Sequence, residues 1–447
     1  MVDLIVADAL IVTGDAAGTM VRDGSVAVDG GRIARIGPAE AIGREAARVV
    51  DGSGMLLAPG LVNTHCHAAD SLFRGLVEEL PLEPWLRLVW RAERAILTPE
   101  TVRLGATLGL AETLLAGVTT TMDMFWHHEA AVAAARALGV RVATGGMFFD
   151  GPGIDGLTPE ARLAAAAAFF DAHAGEDDVL PGCFPHGAYT VGPEGLVASK
   201  RLAQARGGLW CTHAAETRAE QALVSERYGR SVIRHLDALG LLDAKTVLAH
   251  CVWLDDEEIA ILARSGATVS HNPVSNLKLA SGIARVPDLL AAGVRVTLGT
   301  DGAISGNDLD PWLALRLAAT LHRGATGRAD AVTARQAFGM ATLDGAAALG
   351  AADRIGSLEP GKFADMLLID LRRAHAVPVF DPLTHLVFSC GRADVRHVFV
   401  GGRQVVADGE ITGLDLGAVL DRVTALTPRI AASLADDIAA PAGGAMA

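Results

Sequence analysis

The chain has 447 residues, 51% of them hydrophobic and 4% aromatic, with a formal net charge of −14 at pH 7. That length fits one large barrel with an accessory domain, or two to three ordinary domains, and the apolar content suffices for a large core. An acidic chain without a basic stripe cannot neutralise phosphates, so nucleic acid is excluded as the expected partner.

The negative charge forms no acidic block and reads as solubility. No run of about 20 apolar residues lacks charged or metal-ligand-type side chains, so no membrane span is expected. The first residues, Met1-Val2-Asp3-Leu4-Ile5-Val6-Ala7-Asp8, carry acids where a secretory signal needs basic residues. Five cysteines are an odd number, and Cys66, Cys183, Cys211 and Cys251 each lie within a few residues of a histidine. They read as small core residues in a reducing compartment, so the expected location is the cytoplasm.

From residue 2 to residue 51 short β-like runs alternate with glycine turns, the clearest being Asp29-Gly30-Gly31. The same texture returns at 364–369, 395–400 and 404–406, which points to one small β domain built from both termini. Between them, strands alternate with helical stretches. Thr98-Pro99-Glu100 and Thr158-Pro159-Glu160 each offer an N-cap hydroxyl, a proline at the first helical position and an acid in the first turn. Residues 161–174 are alanine-rich and read as a helix. Eight strands are expected, at 61–67, 118–125, 140–149, 179–191, 208–214, 246–252, 268–272 and 294–300. Eight βα units in about 300 residues fit a (β/α)8 barrel, a TIM-like α/β fold, with a doubly wound open sheet as the alternative. The expected domains are a β-sandwich over 1–57 and 357–427, the barrel over 58–356, and a fraying tail over 428–447.

In a parallel barrel the active residues gather at the C-terminal strand ends. Polar groups follow the apolar runs there. Strand 1 ends in His65 and His67, whose i, i+2 spacing aims two imidazoles at one point. Strand 4 ends near His186, strand 5 in His213 with Glu216 three residues on, strand 6 in His250, strand 7 in His271, and strand 8 in Asp301. Each of these alone has a structural explanation. Together they suit a divalent metal, Zn²⁺ by ligand type with Fe²⁺ as the alternative, and a metal-activated water. A nearby carboxylate and histidine can then move protons to a leaving group.

The motifs Pro59-Gly60-Leu61-Val62-Asn63-Thr64-His65-Cys66-His67, His213-Ala214-Ala215-Glu216, Ala249-His250-Cys251, Ser270-His271-Asn272-Pro273, Leu298-Gly299-Thr300-Asp301-Gly302 and Gly361-Lys362-Phe363-Ala364-Asp365 resemble the amidohydrolase superfamily. They are most similar to the branch of methylthioadenosine/S-adenosylhomocysteine deaminases, with guanine deaminase and the triazine hydrolases as relatives. The resemblance implies one zinc held by His65, His67, His213 and Asp301. Asp301 would take a proton from the attacking water, Glu216 would protonate the ring nitrogen, and His250 would orient the water. It further implies a zinc-dependent aminohydrolase that releases ammonia from a small heteroaromatic amine, and a homo-oligomer. Binuclear relatives carry a lysine or glutamate bridge on strand 4. Residues 180–191 hold neither, so one metal is expected.

Substrate contacts follow from the same resemblance. His186 matches a substrate-contacting position, and Glu93 falls near a glutamate that binds sugar hydroxyls, although a solvated helix face would also explain it. Trp85 and Trp126, with His127 and His128, lie in loops after strands 1 and 2, where they could line a planar ring pocket. His271 is a further candidate contact. After strand 3 the S-adenosylhomocysteine deaminases carry an arginine for the substrate carboxylate. Here Thr144-Gly145-Gly146-Met147-Phe148-Phe149-Asp150 has none, which counts against an anionic tail. The Met147-Phe148-Phe149-Asp150 stretch resembles the triazine hydrolases, so a triazine substrate, deaminated or dechlorinated, is the alternative. A scaffold without catalysis is a third reading, and the complete ligand set argues against it.

Overall fold

The computed structural model describes residues 1–435. Strands from both ends of that stretch join in one mixed nine-stranded sheet. Five are N-terminal (Val2–Val12, Met20–Asp29, Arg32–Pro38, Ala46–Asp51, Met55–Pro59) and four come late (Met366–Asp370, Val395–Val400, Arg403–Ala407, Glu410–Ile411). Met55–Pro59 runs antiparallel to Met366–Asp370 and joins the two groups. Alternating apolar residues supply the inner face: Leu4, Val6, Val26, Val28, Leu57, Met366, Leu368 and Phe399 share one buried cluster.

Two glycine turns sit where the groups meet. Gly30 and Gly31 have φ of 55 and 76°, and Gly401 and Gly402 have 54 and 74°, a left-handed conformation open to glycine. A Cβ on Gly31 would lie 2.8 Å from the Gly401 carbonyl oxygen. The expected β domain from both termini is thus one hydrogen-bonded sheet whose two hairpin tips touch. The late motif has a structural job at the same place. The Phe363 ring lies 4.0 Å from the Arg32 guanidinium and 4.4 Å from that of Arg141. Arg141 also pairs with Asp365, whose other oxygen accepts from the Gly401 N–H at 2.8 Å. Arg141 opens a barrel strand, so this cluster bolts the β domain to the barrel.

The second sheet holds the barrel strands in chain order: β1 Leu61–His67, β2 Val118–Asp123, β3 Arg141–Phe148, β4 Val179–Pro185, β5 Leu209–Ala214, β6 Thr246–His250, β7 Thr268–His271 and β8 Val296–Leu298. All are parallel. Their near-continuous apolar and threonine runs fit strands covered on both faces. After a break at Gly299 and Thr300, the two-residue strand Asp301–Gly302 pairs with Cys66 and His67 of β1 and closes the ring. Side chains reinforce this seam. Thr64 Oγ1 lies 2.8 Å from Ser270 Oγ and 2.7 Å from Thr297 Oγ1, and Asn63 Nδ2 donates to Thr300 Oγ1 at 2.7 Å.

Both expected N-caps are present: the Thr98 and Thr158 hydroxyls accept from the N–H groups of Thr101 and Ala161. The alanine-rich helix runs Pro159–Ala172. Other details differ. β4 ends at Pro185, and 187–191 forms a turn in which the Thr190 and Val191 N–H groups return to the Gly187 carbonyl. The stretch 357–427, expected as β, ends in a helix, Leu416–Ala432, that packs on Pro99–Leu115. This helix passes through Pro428, where the sequence suggests a frayed tail. Buried Ile430 and Leu434 anchor the last turn and outweigh the proline's lost hydrogen bond. The rest of the expected tail, 436–447, lies outside the described residues. Among the described residues no helix is long and apolar enough to cross a membrane. All five cysteines are free and buried.

Candidate active site

His65 and His67 end β1, His213 ends β5, and Asp301 sits on the extension of β8. Their ligand atoms all lie within 4.8 Å of one another. His67 Nε2 is 3.2 Å from Asp301 Oδ1 and 3.2 Å from His213 Nε2. The tautomers are set from behind. His67 Nδ1 donates to the Met124 carbonyl at 2.6 Å, and His213 Nδ1 donates to the His186 carbonyl at 2.7 Å. A carbonyl can only accept, so Nδ1 carries a proton in both rings and Nε2 is the nitrogen left to face a metal. Burial lowers His67, but Asp301 beside it outweighs burial and raises it to about 9, so a metal there would displace a proton from Nε2. His65 is fully buried, and neither ring nitrogen has a hydrogen-bond partner in the protein. Burial pushes its pKa down to about 4, which keeps it neutral. Burial alone would raise Asp301, but the His65 and His67 rings, 3.4 and 3.2 Å from its Oδ1, outweigh burial and hold the carboxyl well below its usual range. Three imidazoles that can each turn one ring nitrogen to the centre and one ionised carboxylate fit a divalent ion such as zinc.

Beside this cluster stand Glu216 and His250. His250 Nδ1 donates to Asn276 Oδ1 at 2.8 Å, and its Nε2 lies 3.6 Å from Glu216 Oε2. Ser281 Oγ donates to Glu216 Oε1 at 3.2 Å. Burial, helped by the charge of Asp301, raises the Glu216 pKa. Glu220 accepts from the Glu216 backbone N–H at 2.7 Å and is itself raised to about 7 by burial. Ala215, His250, Cys251 and Asp301 all have left-handed φ, between 46 and 75°. Such strain at the ends of β5, β6 and the β8 extension is typical of residues held for chemistry.

The cluster floors a cavity at the C-terminal face of the barrel. One wall is aromatic: Trp126 stacks on Phe149 at 5.2 Å, and Phe149 stacks on His186 at 4.6 Å. His186 donates from Nδ1 to Thr190 Oγ1 at 2.9 Å, because that hydroxyl gives its own proton to the Gly187 carbonyl. Burial lowers the His186 pKa to about 3, so Nε2 stays an acceptor. Asp70 and Glu93 also line the cavity, as do Trp85 and Trp90, the latter edge-on to Phe149 and His186 at 6.1 and 5.6 Å. Burial raises Asp70 to about 7 and, with the charge of Asp70, raises Glu93 well above the carboxylate range.

Of the expected site residues, Glu93, His186, Trp85, Trp126, Glu216, His250, Asp301, His67 and His213 line this cavity, with His65 in the floor beneath. His271 does not. Its ring is buried against His322, with Nε2 atoms 3.4 Å apart, behind the site. His128 packs on Phe169 instead of facing the cavity. Met147 and Phe149, from the stretch after β3 expected to shape the pocket, line it as well; Asp70, Trp90, Tyr189 and Ser305 also line it without having been expected, and Glu220 behind Glu216 was likewise not expected. A signal existed for Asp70, an acid in an apolar stretch three residues after His67.

The chain matches the amidohydrolase family over residues 56–405. It is 38% identical over 423 residues to a 5-methylthioadenosine/S-adenosylhomocysteine deaminase of Syntrophobacter fumaroxidans, covering 94% of this chain and 97% of that one. It is 37% identical over 426 residues to a 5'-deoxyadenosine deaminase of Methanosarcina mazei, covering 94% and 96%. Among solved structures it superposes on an adenosine deaminase from Xanthomonas campestris with bound zinc, with a TM-score of 0.94, 32% identity, and 96% and 98% of the two chains covered. With three histidines and an aspartate converging at the mouth of a closed barrel, and with these likenesses over nearly its whole length, the chain belongs to the amidohydrolase family.

Proposed function

We propose that this protein is a zinc-dependent aminohydrolase that removes the exocyclic amino group of a purine nucleoside and releases ammonia. The observation that carries this reading is a pair of carboxyl groups at one cavity floor pushed in opposite directions. Asp301 is held ionised, while Glu216 is pushed toward keeping its proton. Such a split assigns a base and an acid.

His65, His67, His213 and Asp301 would hold the metal, which when bound supplies the Lewis acidity that makes water nucleophilic at neutral pH. Asp301 accepts the proton that the attacking water gives up. Glu216, steadied by Ser281, donates a proton to the ring nitrogen beside the carbon under attack, so that charge does not build on the ring. His250 is fixed by Asn276 and orients the incoming oxygen. Proton return through Asp301 lets the amino group leave as ammonia. Trp126, Phe149 and His186 offer a flat wall for a heterocycle, with His186 Nε2 as a hydrogen-bond acceptor. Glu93 faces the sugar end of such a substrate.

No lysine or arginine lines the inner cavity among the described residues. Arg94 lines only an outer cavity that shares Trp90, Glu93, Trp126 and Phe149 with the inner one. An anionic 5' substituent is therefore disfavoured, which fits the methylthioadenosine and 5'-deoxyadenosine named for the relatives and not the carboxylate-bearing S-adenosylhomocysteine. The triazine alternative has less support, since those relatives are named as nucleoside deaminases. An ammonia-release screen over adenosine, its 5'-deoxy and 5'-methylthio forms, nucleotides, pterins and triazines tests this. The nucleosides without phosphate are expected to lead. Chloride released from a chlorotriazine without ammonia from any purine would overturn the proposal. Free cysteines support a reducing cytoplasmic location, and the family resemblance supports a homo-oligomer; fractionation and mass photometry test these two.

A further inference from the structure

Asp70 and Glu93 are two acids facing one cavity that no lysine or arginine lines among the described residues. They are 5% and 4% exposed. Asp70 stands on the turn that follows β1, with Gly302 beneath it: a Cβ there would lie 2.8 Å from Asp70 Oδ2. Glu93 comes from the helix Leu82–Ile96 that caps the cavity. The two carboxyl groups hydrogen-bond each other, which requires a proton between them. Asp70 Oδ1 is buried and has no hydrogen-bond partner in the protein. A buried carboxylate oxygen left open in this way costs stability unless a ligand satisfies it. Trp85 and Trp90, on the same helix as Glu93, also line the cavity, and an indole face attracts a cation.

We propose that Asp70, with Glu93 and the two tryptophans, forms a receptor for a cationic amino group, so that the enzyme prefers nucleosides whose sugar carries an amine. This rests on the deaminase reading above. Two acids that share one proton keep a net negative charge. An ammonium can take the place of that proton, donate to both carboxylates and reach the open Asp70 oxygen, because it offers three N–H groups. A neutral hydroxyl would satisfy one acceptor and leave the charge unpaired. Position agrees. Asp70 follows β1 and Glu216 follows β5, strands that face each other across an eight-stranded ring, and both residues line the one cavity. A ligand reaching from Glu216 to Asp70 would carry its heterocycle at one end and its amine at the other.

The test compares kcat/KM of the zinc-loaded, full-length protein on 5'-amino-5'-deoxyadenosine against 5'-deoxyadenosine, and on 3'-amino-3'-deoxyadenosine against 3'-deoxyadenosine, at pH 7. In the wild type one of the two amines is expected to lead its neutral partner by about 30-fold, as for hydrogen bonds to a charged group. Asp70→Asn keeps the shape and removes the charge, and is expected to cut that lead to about 3-fold or less. Glu93→Gln is expected to act in the same direction and serves if Asp70→Asn fails to fold. A merely structural role would lower both members of a pair alike and leave their ratio unchanged. Zinc content and the melting midpoint of each variant verify folding. Neutral nucleosides that match or beat both amines in the wild type, or an unchanged lead in a folded variant, would overturn the inference alone. No ammonia from any nucleoside would sink the deaminase reading and this inference with it.

Discussion

Replacing Glu216 by Gln separates metal binding from proton transfer. The change conserves volume, and Ser281 can still donate to the side-chain oxygen it reaches at 3.2 Å. Glu216 is not among the four clustered ligands, so zinc content is expected to stay at the wild-type level. Only the transferable proton is lost. A positioned general acid contributes about 10²–10⁴-fold, or about 3 to 5 kcal/mol of transition-state stabilisation. Steady-state ammonia release should therefore fall by about a thousandfold in kcat, with KM little changed. Stability should move the other way. The Glu216 pKa is raised by folding, so the folded state binds the proton more tightly, and its stabilising contribution is lost as pH rises above the unfolded value. A glutamine there carries no such penalty, so the variant should gain stability over wild type more at pH 8 than at pH 5. Wild-type turnover in this variant would refute the acid role. Loss of zinc together with turnover would refute its separation from the ligand set.

Dialysis against a strong chelator should abolish ammonia release and lower the melting midpoint, with zinc restoring both, because an ion bound only by the folded state adds stability by mass action. A midpoint that does not respond to zinc would show that the cluster binds no metal in the folded protein. Glu220→Gln should reduce kcat about tenfold, since Glu220 fixes the Glu216 backbone at 2.7 Å without touching the ring. Its pKa is raised to about 7, so its contribution to stability is full below the unfolded value and fades as pH rises through about 7. Denaturant titrations should thus give a flatter stability profile in the variant between about pH 4.5 and 7.

The strands and the metal cluster were legible because the signal is local. Each runs as an apolar stretch that stops at a His or Asp, and burial on both faces forces that pattern. The caps at Thr98 and Thr158 were legible for the same reason, one hydroxyl satisfying one nearby N–H. The cavity wall was legible only in part: Trp85, Trp126, Phe149 and His186 lay in expected pocket positions and line it. Trp90 and Tyr189 arrive from separate connections, and only the closed barrel brings them to the same cavity. His271 shows the converse: it ends β7 just as the others end their strands, yet its ring turns to His322. Strand-end position sets a residue's height on the barrel, while the neighbouring side chains decide which way it faces. Pro428 shows a local rule overridden by burial of Ile430 and Leu434.

The break in β8 ties the catalytic floor to the barrel's mechanical integrity. Beyond the side-chain bonds at the seam, the ring closes through Asp301–Gly302 against Cys66–His67, and two of those four residues belong to the ligand cluster. An ion held there would act as a buckle across the last joint of the hoop. Opening that joint and releasing the ion become one event, so loss of cofactor and loss of barrel shape should share a single kinetic barrier.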